Sequence, residues 1–296
     1  MVRAALLMAA SAGLFGLMAV TIRLASKQLH AFEIAFFRNL FGMLFASPLL
    51  LRHGFGLLRT NKLGFYFLRC VIGIASMLAG FWAIVNLPLA QAVALSYSTP
   101  LFVTIGAVVF LGEVVRIRRW TAVALGFLGV IVIVRPGLDG FASGSLVALF
   151  AAAMSGTVSI SIKYLSRTEP VDAIVLMTTV LWVPLSLVPA LFVWQWPEPM
   201  SWLWVIAAGF LGTSAHMCWT RALKLGELSA LTPLSFLQLP VVILFGWFLF
   251  DEKLDAWTAA GAGIILASNL YIAHREAKLA RRQVTDPVVT ADTASR

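Results

Sequence analysis

Residues 90–113 read AQAVALSYSTPLFVTIGAVVFLGE. The ends of this stretch are as apolar as a lipid tail, yet its middle holds Ser96, Tyr97, Ser98, Thr99 and Pro100. Polar side chains deep in a membrane helix face a partner helix or a water-filled cavity. A proline there frees a backbone carbonyl that a neighbour must satisfy. The cluster therefore has two readings. In one it lines a path, with Pro100 bending the helix around it. In the other the hydroxyls are glue, bonding to backbone or to a facing helix.

The rest of the chain supports a bilayer setting. The sequence of 296 residues is 60% hydrophobic and 12% charged, with mean hydropathy +0.92. Soluble domains run at about 45–50% apolar and about 25% charged. Ten runs are long and apolar enough to span, at about 20 residues each: roughly 4–25, 32–51, 63–85, 88–111, 119–135, 143–164, 171–193, 201–221, 227–250 and 256–273. Runs of this length are helices, because lipid offers backbone groups no partner. The start, MVRAALLMAASAGLFG, mimics a signal peptide with a cleavage site at Ala10-Ser11-Ala12. Its apolar run continues to about Leu24, so a first span is expected instead. After His274 the sequence REAKLARRQVTDPVVTADTASR turns polar, and a disordered cytoplasmic tail is expected over 275–296.

The net charge of +9 does not point to nucleic acid, since the basic residues sit mostly between apolar runs. With the N-terminus in the cytoplasm, the inside segments hold Arg3, Arg52, Arg59, Lys62, Arg116, Arg118, Arg119, Lys163, Arg167, Arg221 and Lys224. The outside segments hold only Lys27, Arg135 and Lys253. The bias predicts both termini inside, and the expected setting is the inner membrane of a bacterium. Cys70 and Cys218 lie in apolar runs and read as small buried hydrophobes.

Residues 229–252, SALTPLSFLQLPVVILFGWFLFDE, repeat features of the opening stretch. Leu234-Ser235-Phe236 matches Leu95-Ser96-Tyr97, and Glu252 matches Glu113. Trp257-Thr258-Ala259 with Gly263 follows, as Trp120-Thr121-Ala122 with Gly126 follows the first. Five spans per half is an odd number, so the second half inserts upside down. The expected fold is all-α, with ten transmembrane helices in two inverted five-helix repeats around a central cavity. Residues 1–137 form the first repeat and 138–274 the second.

These residues resemble the EamA family of the drug/metabolite transporter superfamily: Pro100, then Phe110-Leu111-Gly112-Glu113, then Gly126 and Gly129. The second copy departs, with Phe250-Asp251-Glu252 where Leu-Gly-Glu is expected. The resemblance covers about residues 4–274 and implies two bundles of five helices and export of amino acids or other small metabolites. Overall length and Trp richness are most similar to the YddG-type aromatic amino acid exporters.

The expected substrate pocket draws on Trp82, Ser96, Tyr97, Ser98, Thr99, Pro100, His216, Trp219, Ser235, Phe236 and Gln238. Aromatic rings suit an apolar or aromatic body, and the polar groups could hold a zwitterion's ends. Thr232, Pro233 and Pro240 belong to the second polar midpoint. His216 has an equal claim as an interhelical hydrogen-bonder, and a neighbouring Ser is the alternative partner for the Gln238 amide. Arg23, Glu33 and Arg38 form a gating or structural charge group near the outer side. Arg38 lies about 9 Å inside its helix at 1.5 Å per residue, and either snorkels, pairs with Glu33 or binds a carboxylate. Arg69 is expected to snorkel inward. Trp194, Trp196, Trp202 and Trp204 read as an interfacial belt. Ala9, Gly13, Gly16, Gly126, Gly129, Gly261 and Gly263 read as packing devices.

No G-x-x-x-x-G-K-[ST] loop is present, which argues against an ATP-driven pump. His30, His53, His216 and His274 have no metal-ligand spacing, so no metal or cofactor is expected. Span one carries no carboxylate of the kind small multidrug antiporters use. An enzyme would need acids, histidines or a nucleophile gathered at one depth, and a scaffold protein would not need paired polar midpoints. The sequence thus points to a transporter or facilitator, working as a monomer, that exports neutral or aromatic amino acids by alternating access. The alternative is export of another metabolite or drug-like amphiphile, with proton coupling.

Overall fold

The computed structural model describes residues 2–53, 60, 62–111, 117–135, 144–165, 168–169, 171–225, 231 and 234–284. Gly112, Glu113, Thr232 and Pro233 lie outside the described residues, as does 285–296. Among the described residues every regular element is a helix: α1 (Val2–Ala25), α2 (Ala31–His53), α3 (Leu63–Asn86), α4 (Leu89–Ser96), α5 (Thr99–Leu111), α6 (Ile117–Val134), α7 (Gly144–Leu165), α8 (Val171–Leu191), α9 (Pro199–Leu225), α10 (Gln238–Phe250) and α11 (Ala256–Val284).

Five stretches are long and apolar enough to cross a membrane by length and composition: Val2–Ala25, Leu63–Asn86, Leu89–Val109, Gly144–Ile162 and Ala256–His274. Shorter apolar helices cover Trp120–Val134, Met177–Leu191 and Gln238–Phe250. Large apolar side chains such as Phe67, Leu125, Leu128, Phe210, Trp247 and Phe248 lie exposed on the outside. An apolar surface this extensive suits lipid rather than water.

Neighbours are set by small residues and by ring stacking. α1 packs along α9, α3 along α7, α2 against α8 and α9, and α6 along α11. The last pair is the tightest. A Cβ on Gly129 would stand 2.7 Å from Gly261 O, and one on Gly261 would stand 2.5 Å from Gly129 O. Only glycine on both helices permits this backbone approach. Gly16 faces Val241 and Gly126 faces Leu101 at similar range, whereas Gly13 and Gly263 meet nothing within 4 Å. The last two are therefore not packing devices. Gly261 and Gly263 are two residues apart, so one helix crossing cannot use both.

Three further expectations change. The tail does not become disordered at 275, because α11 runs on to Val284; Glu, Ala, Lys, Leu and Arg are strong helix formers and extend it. Arg69 does not snorkel: it is buried and its Nη1 donates to Thr178 Oγ1 on α8. The tryptophans of 194–204 are not simply a belt. Trp194 packs at a tilt on Phe36 and Phe37, and Trp202 edge-on to Phe37, with ring centroids 5.2–5.8 Å apart, while Trp196 is 72% exposed.

Candidate functional site

The opening stretch is two helices, α4 and α5, meeting at a turn over Tyr97-Ser98. Pro100 has no N–H for the carbonyl of Ser96, four residues back. Thr99 Oγ1 donates to Ser96 O at 2.8 Å instead. Ser96 Oγ donates to Val93 O and Ser98 Oγ to Leu95 O, each at 2.7 Å. Asn269 Nδ2, from α11, donates to Tyr97 O at 2.7 Å. The three hydroxyls thus spend their protons on the carbonyls around the interruption, as the glue reading requires. Ser98 is fully buried, while Ser96 and Pro100 are exposed.

A second interruption mirrors the first. Residues 234–235 are helical, Phe236-Leu237 form a turn, and α10 starts at Gln238. Leu237 N donates to Leu234 O at 3.2 Å and Leu239 N to Phe236 O at 3.0 Å, as Tyr97 N donates to Ala94 O at 3.2 Å. The two turns face each other. The Tyr97 and Phe236 rings meet edge to face, centroids 5.0 Å apart, and Tyr97 Oη points at Ser235 O at 3.5 Å. Gln238 is half-buried and its amide makes no hydrogen bond with a described residue.

α1 divides this pair from a second group. One face of α1 packs on α10, with Gly16 against Val241 and Gln238 O. Another face meets α9, with Met18 against Gly212 and Phe15 edge to face with His216 at 5.0 Å. Arg38 reaches in from α2. A Cβ on Gly212 would stand 2.9 Å from its Nη2. His216 lies one turn beyond Gly212 on the same face of α9. His216 is exposed, so the crevice between α1, α2 and α9 is open at this residue, and Trp219, three residues on, is 41% exposed.

Arg38 itself is only 8% exposed. Its Nη1 donates to Asn39 Oδ1 at 2.9 Å, and Asn39 Nδ2 donates to Ser186 Oγ on α8 at 3.2 Å. Arg38 Nε has no hydrogen-bond partner among the described residues. It neither snorkels nor pairs with Glu33. Five residues apart on one helix, the two side chains leave on different faces. Glu33 is fully buried and already occupied. It accepts His30 N at 2.9 Å, the reach-back half of a capping box, and Gln195 N from the α8–α9 connection.

Arg23 lies at the other extreme of satisfaction. Its Nη1 donates to Ile84 O at 2.6 Å, to Val85 O and to Leu87 O at 3.0 Å, at the end of α3. Its Nη2 pairs with Glu252 Oε1 at 2.8 Å. Glu252 Oε2 accepts Leu89 N at 2.7 Å, capping α4. One ion pair thus ties α1, α3, α4 and the end of α10. Trp82 stands apart from both groups, against Gly144 at the start of α7.

The expected pocket residues therefore separate. Tyr97, Ser235, Phe236 and Gln238 come together, His216 joins Arg38, and Trp82 joins neither. Sequence reasoning missed Asn269 and the partnership of Glu252. Asn269 was signalled by a lone amide in an apolar run, and Glu252 only by its place in the repeat. Among the described residues no three His, Cys, Asp or Glu side chains gather as metal ligands would.

Comparison with known proteins fits this architecture. A riboflavin transporter of Vibrio cholerae serotype O1 is 32% identical over 228 residues, covering 76% of each chain. An S-adenosylmethionine uptake transporter of Rickettsia felis is 27% identical over 86% of this chain and 87% of its own. A crystal structure 20% identical in sequence superposes with a TM-score of 0.64 over 93% of this chain and 98% of that one, which shows a shared fold. The names of these two relatives give no support to the finer resemblance to aromatic amino acid exporters. The EamA-like transporter family model matches twice, over residues 2–135 and 142–273, and the chain belongs to that family of membrane transporters.

Proposed function

We propose that this chain is a secondary carrier for a small metabolite with a planar, nitrogen-containing ring system, and that riboflavin is the first substrate to test. The observation that carries the reading is the Tyr97–Phe236 ring pair, set where two spans are interrupted. Interrupted helices at a repeat interface are the usual substrate site of such carriers. Flanking this pair are the exposed Ser96 and the amide of Gln238, which makes no hydrogen bond with a described residue, and these suit a polar chain beside a flat ring. The names of the two relatives share that chemistry: riboflavin carries a ribityl chain, and S-adenosylmethionine a ribose ring, on a planar nitrogen heterocycle. Ten spans in two inverted repeats, divided at about 137, with both termini in the cytoplasm, complete the reading. The family model's double match and the Lys/Arg bias support it.

Outward movement of neutral or aromatic amino acids is the second reading, favoured by the same ring pair. Counterflow separates the two. Proteoliposomes loaded with excess unlabelled riboflavin, with no ion gradient, are expected to accumulate labelled riboflavin. Tyr97→Ala and Gln238→Ala should each cut the rate at least fivefold with folded protein retained. Accumulation of labelled phenylalanine in phenylalanine-loaded vesicles, with no riboflavin signal, would establish the second reading instead. Full activity in both variants would remove these residues from the pocket.

A further inference from the structure

We infer that the crevice between α1, α2 and α9 is a binding site for an anionic group, a carboxylate or a phosphate, which Arg38 neutralises. The inference rests on the reading of this chain as a carrier of small metabolites and adds a second, charged contact to it. Arg38 is 8% exposed, so its charge is held away from water. A guanidinium offers five N–H donors in a planar fork. Here one acceptor, the neutral Asn39 Oδ1, is in place, and Nε has none.

Ion pairs elsewhere show what this chain does with a structural arginine. Arg23 is matched by Glu252 and Arg135 by Asp255. Glu33, the acid nearest in sequence to Arg38, is committed to two backbone N–H groups. A buried, unmatched cation in a span is costly, and such groups mark substrate pathways. The fork geometry matches carboxylate and phosphate oxygens two at a time.

The surroundings extend the argument from a charge to a site. Gly212 leaves room for the guanidinium on α9, since any side chain there would strike Nη2 and Nε within 3.0 Å. His216 is one turn further along the same face and is exposed. Phe15 supplies a second ring beside His216. An aromatic-walled opening that ends on a cation suits a ring-bearing molecule with an acidic end.

The test is calorimetric titration of the purified, folded protein, so it needs no transport. Two matched pairs of probes differ in the acidic group: flavin mononucleotide against riboflavin for the phosphate, and S-adenosylhomocysteine against its carboxamide for the carboxylate. At least one acidic member is expected to bind tenfold tighter than its partner. The pair that shows this identifies which anion the site takes. Arg38→Gln should reduce the advantage to within twofold, and Arg38→Lys should keep part of it. Gly212→Ala keeps the charge but displaces the guanidinium, and should also abolish the advantage. It serves as the second variant if Arg38→Gln does not fold.

An absent preference in the unmodified protein for both pairs, including absent binding, overturns the site. So does a preference that survives both Arg38→Gln and Gly212→Ala. Equal binding within both pairs alongside riboflavin counterflow would sink the anion site and leave the carrier reading intact. A retained acidic preference without riboflavin counterflow would do the reverse.

Discussion

Arg23 and Arg38 are both arginines in apolar helices, and their surroundings differ in kind. Arg23 donates to three carbonyls and pairs with a carboxylate that itself caps α4. Arg38 has one amide oxygen and an idle Nε. The first is a closed account of charge and hydrogen bonds, and its work is to hold four helices together. The second is open, and its work begins when something else arrives. Counting partners separates the two roles where residue type and depth do not.

The largest effect is expected from Arg23→Ala. It leaves Glu252 without its cation and three carbonyls without their donor. Removing one partner of a partly buried pair costs about 3 kcal/mol, read as a drop in Tm of the protein in detergent. Glu252→Gln should cost less, about 1–2 kcal/mol, because the amide oxygen still accepts Leu89 N. Asn269→Ala is an intermediate case. It loses the bond to Tyr97 O but also removes a buried Oδ1 that has no partner. About 1 kcal/mol is expected, with a larger loss in counterflow than in Tm. The smallest effect on stability is expected from Arg38→Gln, within about 0.5 kcal/mol or stabilising, since a buried unmatched charge is removed. A fall in Tm for Arg38→Gln as large as that for Arg23→Ala would break the comparison and make Arg38 structural.

Much of the fold was legible because span length and apolar composition are local properties. The expected spans 4–25, 63–85 and 143–164 fall within one or two residues of the ends of α1, α3 and α7. The interruption at Tyr97-Ser98 was announced by Pro100 and its hydroxyl neighbours. What the hydroxyls do was not legible in full. Their protons go to carbonyls three residues back, and only the geometry of the turn decides that against a cavity. Glu33 as a partner for Arg38 could have been refused on spacing alone, since five residues on a helix do not share a face. The grouping of His216 with Arg38, rather than with Tyr97, depends on how α9 is rotated against α1 and α2. No single-helix pattern carries that information.

The interrupted spans have a mechanical consequence. A continuous helix resists bending because each bend stretches bonds in its ladder. At Ser96 and Tyr97 the ladder is already open, and its carbonyls are held by Thr99 and Asn269 side chains. α4 and α5 are also fastened to different partners: Leu89 and Val93 pack in one apolar cluster, Leu101 in another. The span is therefore two stiff rods meeting at a soft joint. Swinging one rod against the other sacrifices a side-chain contact or two and leaves the backbone bonds of each rod whole.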